Sequence, residues 1–215
     1  MIYYVLRFLS YIVCKLLFRV ELTGREHIPK EGGLLVVCNH ISYLDPVTFG
    51  GAFPRPLYFL TKSEFYRHRF FGWLLRKLHT IPIHLDRYDK QGMQRAIEIL
   101  REGKALVVYP EGARSRDGKL HPGRAGAGFL AIQAGVPVLP VYLRGTYEAL
   151  PPRAHMIRLH KIFVHIGQVL DFSASAPPAA SGDGPKPLHP HGQLFYQGIS
   201  DRMMEAIRKI SEDAV

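Results

Sequence analysis

Two short stretches carry residue types that can do acid–base and anion chemistry. The first is Asn39-His40-Ile41-Ser42-Tyr43-Leu44-Asp45. A neutral imidazole can take a proton from an alcohol near neutral pH. A carboxylate beside it fixes the tautomer and stabilises the imidazolium that forms. The five-residue step from His40 to Asp45 turns about 140° around a helix, so one continuous helix would keep the two apart. A loop that runs into a helix start at Asp45-Pro46 can fold the carboxylate back onto the ring. The same pattern also fits a loop histidine followed by an aspartate, or by Ser42, that only caps a short helix.

The second stretch is Tyr109-Pro110-Glu111-Gly112-Ala113-Arg114-Ser115. Pro110-Glu111-Gly112 breaks an extended run, and Arg114, Arg116, Lys119 and Arg124 follow. Arginine forks bind phosphate oxygens two at a time. A helix beginning near Ala125-Gly126 adds backbone N–H groups and a favourable dipole. Glu111 can orient Arg114 or accept a hydrogen bond from a substrate hydroxyl. A solvated basic loop is the plain alternative. Arg87, which ends Ile81-Pro82-Ile83-His84-Leu85-Asp86, is either a further cation at a strand end or the surface partner of Asp86.

Each stretch follows a short, wholly apolar run, 34–37 and 105–108, of the kind found in buried strands. The other elements alternate. Helices are expected over 46 onward, 63–79 in two pieces broken near His68 or Gly72, 89–102, 125–134 and 193–211. Strands are expected over 19–22, 57–60, 81–85, 105–109, 138–143 and 161–169. That alternation predicts an α/β fold with a central, mostly parallel sheet flanked by helices. Ligands in such sheets bind beyond the carboxyl ends of strands, where His40 and Glu111 fall. The expected organisation is an N-terminal amphipathic helix (1–20), an α/β domain (21–171), a flexible Ala/Pro/Ser/Gly-rich loop (172–192) and a C-terminal helix packed on the same domain (193–215).

The 215 residues suffice for one well-buried domain, and an apolar content of 47 % is ordinary. The net charge of +10 is not ordinary, and it predicts an anionic partner: nucleic acid, a phospholipid surface or a phosphorylated substrate. The two cysteines, Cys14 and Cys38, match no zinc or disulfide framework, which fits a reducing compartment. The sequence contains no Gly-x-Ser-x-Gly elbow, no Gly-x4-Gly-Lys-Ser/Thr loop, no His-Glu-x-x-His and no Gly-x-Gly-x-x-Gly after a strand. His121, His189 and His191 lie in expected loops, and no metal site is expected.

Arg7, Lys15 and Arg19 interrupt the apolar N-terminus, so its apolar runs are too short to span a bilayer, and no signal-peptide cleavage pattern follows. At about 100° per residue the three cations fall within an arc of roughly 120°. A helix lying in the membrane interface with its cations toward headgroups fits this pattern. A helix packed on the domain's own core fits it as well. The stretch 62–77, with Phe65, Tyr66, Phe70, Phe71 and Trp73 among basic residues, fits bilayer docking, an acyl-channel wall or a core helix with a basic edge.

Taken in order, these blocks resemble the glycerolipid acyltransferases, specifically the bacterial 1-acyl-glycerol-3-phosphate acyltransferase (PlsC-like) group. Asn39-His40-x-Ser42-x-x-Asp45 resembles that family's first block. Tyr109-Pro110-Glu111-Gly112-Ala113-Arg114-Ser115 resembles its phosphate-binding block, usually Phe-Pro-Glu-Gly-Thr-Arg-Ser. Val136-Pro137-Val138-Leu139-Pro140-Val141 resembles a late block, with weaker matches at Lys62-Ser63-Glu64-Phe65, Phe70 to Leu75 and Asp86-Arg87. The resemblance runs from about residue 22 to 170. Ala113 stands where threonine is usual, Tyr109 where phenylalanine is usual, and the glycine before the second block is missing at His79-Thr80-Ile81.

The resemblance implies transfer of a fatty acyl group from acyl-CoA or acyl-carrier protein to the free hydroxyl of lysophosphatidic acid. His40 would be the base and Asp45 its orienting carboxylate. Arg87, Glu111, Gly112, Arg114 and Arg124 would hold the acceptor phosphate. No cofactor is implied beyond the thioester co-substrate. The implied setting is the cytoplasmic face of the cell membrane, peripheral or monotopic, with no nucleic-acid partner. Other acceptors, such as glycerol-3-phosphate or another lysolipid, keep the same chemistry. A basic module that binds membranes or nucleic acid without catalysis is the non-enzymatic alternative.

Overall fold

The structure, a computed structural model, describes residues 2–84, 88–154, 156–175 and 190–214. The two apolar runs become the strands β2 (Leu34–Cys38) and β5 (Ala105–Val108), with every residue but one fully shielded and Val108 nearly so. They pair in parallel, Leu34 with Ala105 through Val37 with Val108. A parallel pair covered on both faces needs apolar side chains at successive positions, which is why alternation is missing from the sequence here.

One face of these strands presents Leu35, Val37, Leu106 and Val108 to a core shared with α4 (Lys90–Arg101), α5 (Ala125–Ala134) and α7 (Pro190–Asp213). The other presents Leu34, Val36, Cys38, Ala105 and Val107 to Phe49 and Phe53, at and just past the end of α2 (Asp45–Ala52). Burying each of those two rings stabilises the fold by about 1.5–3 kcal/mol.

Five further strands complete the sheet: β1 (Glu21–Thr23), β3 (Leu57–Lys62), β4 (Thr80–Ile83), β6 (Val138–Arg144) and β7 (Phe163–Ile166). The spatial order is β1-β7-β6-β2-β5-β3-β4. Among the described strands only the β6–β7 pair is antiparallel; β1 runs parallel to β7. The chain leaves β2 through α2 toward β3 on one side and leaves β5 through α5 toward β6 on the other. The two connections pass each other on opposite faces of the sheet, so the loops after β2 and β5 emerge side by side at its carboxyl end, where ligands bind in such sheets.

The helices differ from the sequence expectation in informative ways. The 63–79 segment divides at His68 into a 3-10 turn, Ser63–Arg67, and α3 (Arg69–Lys77). Gly72 stays inside α3 because any Cβ there would strike the Tyr66 carbonyl. A four-residue helix, α6 (Thr146–Ala149), was not foreseen. α7 begins at Pro190, three residues early, where a proline suits the first helical turn. Residues 176–189, most of the expected flexible loop, lie outside the described residues, as do Leu85, Asp86 and Arg87.

The largest correction concerns α1 (Ile2–Leu16). Arg7 does not share an outward basic arc with Lys15 and Arg19. Its Nη2 donates to the Phe53 carbonyl at 2.8 Å, at the C-terminal end of α2. Carbonyls at a helix end lack intrahelical donors and attract cations, which explains why this arginine turns inward. The inward seam of α1 is Tyr3, Arg7, Ser10 and Cys14, with Ser10 and Cys14 hydrogen-bonded to carbonyls of α2. Tyr4, Val5, Phe8, Leu9, Tyr11 and Leu16 are exposed instead. Among the described residues no helix is long and apolar enough to cross a membrane.

Candidate active site

His40 stands two residues beyond β2 and Glu111 three beyond β5. The two are offset by 71 residues, the same offset as the paired Leu34 and Ala105. The strand register thus carries the two loops out side by side. The His40 amide donates to Glu111 Oε1 at 3.0 Å, and the Ser115 amide donates to the His40 carbonyl at 2.7 Å. One backbone-to-carboxylate and one backbone-to-backbone hydrogen bond therefore bind the histidine loop to the Glu111–Ser115 bend.

Asp45 is wholly buried and folds back on its own loop. Its Oδ2 accepts from the amides of Ile41 and Ser42, both at 2.9 Å, and lies 2.7 Å from His40 Nδ1. The expected capping role is therefore replaced: Leu44 occupies the cap position of α2, and neither Ser42 nor Asp45 caps it. An oxygen already holding two N–H groups acts as an acceptor, so Nδ1 carries the hydrogen and Nε2 is left with a free lone pair. Ser42 Oγ accepts from the Leu44 amide and donates to the Leu150 carbonyl, so it fixes the loop. Asn39 holds both backbone groups of Leu143 and ties the end of β2 to β6. Asn39, Ser42 and Asp45 are buried, whereas the His40 ring is 18 % exposed and Tyr43 lies at the surface.

The bend after β5 depends on Gly112, whose φ of 73° is left-handed and suits glycine. Its amide closes the turn on the Tyr109 carbonyl. A Cβ at Gly112 would stand 3.0 Å from Arg124 Cδ and Nε, so the Arg124 side chain lies against the bend. The Arg124 amide reaches the Pro110 carbonyl at 2.8 Å. Arg114 does not pair with Glu111. Its guanidinium lies 3.4 Å over the Tyr43 ring, on the histidine loop. The α5 N-terminus is partly taken as well, because the Gly128 amide donates to Ser200 Oγ from α7. His40, Asp45, Glu111, Gly112 and Arg114 thus lie on two loops hydrogen-bonded to each other, with Arg124 against the second, while Arg87 lies outside the described residues.

Sequence reasoning missed two aromatic partners. Tyr109 stacks on the His40 ring, centroids 3.8 Å apart and planes 14° from parallel, and Tyr43 carries Arg114. No sequence signal marks either contact beyond their presence in the two motifs. His121 pairs with Asp117 at 2.9 Å, and Asp117 also accepts from Ser115 Oγ and the Lys119 amide. His189 lies outside the described residues. Among the described residues no acidic, His and Cys cluster is arranged to hold a metal ion.

Four buried polar atoms have no hydrogen-bond partner among the described residues of these loops: Glu111 Oε2, Arg114 Nη1, Asp45 Oδ1 and the Tyr109 hydroxyl. Buried groups of this kind are normally satisfied, so these atoms call for a partner beyond the described residues. Burial pushes the Glu111 carboxyl up to about 7, the Asp45 charge pushes the same way, and the His40 N–H opposes both.

From pH 4.5 to about 7 the folded protein therefore keeps a proton that the unfolded chain has released, and Glu111's contribution to stability falls as pH rises through that window. Glu111→Gln should flatten this slope. Relative to the parent, the variant should gain roughly 2–3 kcal/mol on going from pH 4 to pH 8, read by denaturant melts at both pH values. Parallel curves for the two proteins would place the titration elsewhere.

A family model described as Acyltransferase matches residues 19–144, more than half of the chain. The chain belongs to the acyltransferase family. The 1-acyl-sn-glycerol-3-phosphate acyltransferase of Pseudomonas aeruginosa is 31 % identical over 87 % of this chain and 70 % of its own length. The chloroplastic enzyme BAT2 of Brassica napus is 30 % identical over 69 % of this chain but only 44 % of its own length. The chain thus spans under two thirds of some curated relatives. The crystal structure of the 1-acyl-sn-glycerophosphate (LPA) acyltransferase PlsC from Thermotoga maritima is similar over 100 % of this chain and 80 % of that one, with a TM-score of 0.74 and 27 % identity. This acyltransferase-family chain is PlsC-like, and its histidine loop and Glu-Gly-x-Arg bend lie within the matched region.

Proposed function

We propose that the chain is an acyltransferase that moves a fatty acyl group from acyl-CoA or acyl-carrier protein to the free hydroxyl of lysophosphatidic acid, giving phosphatidic acid. The observation that carries the reading is the 2.7 Å contact between His40 Nδ1 and Asp45 Oδ2 on a loop hydrogen-bonded to the Glu111 bend. Nε2 takes the hydroxyl proton as the oxygen attacks the thioester carbon. The tetrahedral intermediate collapses, the C–S bond breaks, and the thiolate leaves with the proton returned by the imidazolium. A thiol of pKa near 8.5 is a good leaving group, so activating the alcohol is the demanding step.

Arg114, Arg124 and the Gly112 bend hold the acceptor phosphate, and Glu111 contributes a hydrogen bond to the acceptor. The absence of a hydroxyl at Ala113 removes one phosphate contact and makes other phosphorylated acceptors the nearest competitors. The names of the relatives support lysophosphatidic acid as the acceptor.

The reading extends to the membrane. The acceptor is an amphiphile, and the exposed apolar face of α1 supports docking on the bilayer surface, with Lys15 and Arg19 near headgroups. Phe65, Phe70, Phe71 and Trp73 are also exposed, which favours a lipid-facing role for 62–77 over a core helix.

The test is a panel assay with labelled acyl-CoA and acyl-carrier protein against lysophosphatidic acid, glycerol-3-phosphate and lysophosphatidylcholine. Turnover is expected on lysophosphatidic acid at least about tenfold above the others. A preference for another acceptor changes the substrate, and no turnover on any of them removes the reading.

A further inference from the structure

We propose that the loop following α6 is a second lipid-inserting element, which with the end of α1 holds the His40 loop against an anionic bilayer. The inference rests on the membrane reading above and adds a part of the chain that reading does not use.

Met156, Ile157 and Leu159 are 79 %, 57 % and 70 % exposed, among the most open large apolar side chains of the described residues. Their loop is tied down within the tip and again at its root. The Arg158 amide donates to the Ala149 carbonyl at 2.8 Å, and the Ile162 amide donates to the Phe18 carbonyl at 3.1 Å. Ala149 and Ile162 are fully buried in one small core with Phe18 and with Leu44 of the histidine loop. An apolar tip on a fixed root can insert without the entropy loss of ordering a free segment.

The tip sits on the catalytic side of the sheet. Arg144, at the carboxyl end of β6, pairs with Phe163 at the start of β7, so the connection between them lies at the same sheet edge as His40. Ser42 Oγ touches the Leu150 carbonyl where this connection begins. The end of α1 that bonds to it displays Leu16 at 69 % and Leu17 at 48 % exposure.

Charge identifies the occupant. Arg153 precedes the tip and Arg158 lies within it, both exposed, and the sequence holds no carboxylate between Glu148 and Asp171, nor any in the first 20 residues. Protruding apolar residues beside exposed arginines, with Glu21 at the loop's root already paired to Lys161 at 2.6 Å, match the headgroup region of a membrane containing anionic phospholipid. A protein partner would call for matched hydrogen-bonding groups as well.

The sequence contains one tryptophan, Trp73, so Trp73→Phe with Leu159→Trp gives a single reporter in the full chain. On phosphatidylcholine–phosphatidylglycerol vesicles with brominated acyl chains, its emission should shift to the blue and be quenched by about half or more. Met156→Ser, Ile157→Ser and Leu159→Ser together should weaken vesicle binding on the order of tenfold to a hundredfold. The same triple variant should leave turnover of a short-chain, water-soluble acceptor unchanged. If the protein binds vesicles but the Leu159→Trp reporter stays in water, or the triple variant binds as the parent does, the loop inference fails and the membrane reading stands. If the parent does not bind vesicles, both fail.

Discussion

His40→Ala should leave a folded protein whose kcat for acyl transfer is lower by on the order of a thousandfold or more. Every polar contact that builds the loop survives the substitution except one. The Ile41 and Ser42 amides still reach Asp45, the His40 amide still reaches Glu111, and Asn39 still holds Leu143. What disappears is the imidazole itself, with the Nε2 lone pair that its bond to Asp45 leaves free. The change removes a proton acceptor and not a binding group for phosphate, so it should appear in kcat with KM for the acceptor little altered. Steady-state kinetics together with a thermal melt separate this outcome from unfolding. Turnover within tenfold of the parent, in a variant that melts normally, would remove His40 as the base.

Arg114→Ala should instead raise KM for a phosphorylated acceptor by roughly a hundredfold, because charge-assisted hydrogen bonds contribute about 1.5–3 kcal/mol each. Arg114 is held in place by its stack on Tyr43, and one of its buried nitrogens has no partner among the described residues. Arg114→Lys should recover only part of the loss, since an ammonium neither stacks on the ring as a planar group nor binds phosphate with a fork. KM for the acyl thioester should stay nearly unchanged in both variants. An unaltered acceptor KM in Arg114→Ala would move phosphate binding to Arg124 or to another cation.

Much of this architecture was legible in the sequence. The runs 34–37 and 105–108 stood out because a strand covered on both faces must be apolar at successive positions. The two motifs stood out because each follows such a run. Other features were hidden. A helical wheel gives the angle between Arg7 and Lys15 but not which side of the helix faces the protein; the Phe53 carbonyl decided that. Asp45 read as a possible cap because caps are local, whereas its real partners depend on how the whole loop closes. The Tyr109–His40 and Tyr43–Arg114 contacts each join two loops on different strands, so no local pattern could show them.

The sequence alone determined the chemistry on hand: an imidazole with a carboxylate near it, a glycine bend with arginines beside it, strands that must be buried, and the resemblance to one acyltransferase family. Only the tertiary structure decided that β2 and β5 are neighbours, in a register that sets His40 against Glu111 across 71 residues of chain. Strand order is a choice among through-space pairings that the same apolar runs would satisfy in several ways. The choice is fixed by how α2 and α5 cover opposite faces of the sheet, and that packing is a property of the whole chain at once.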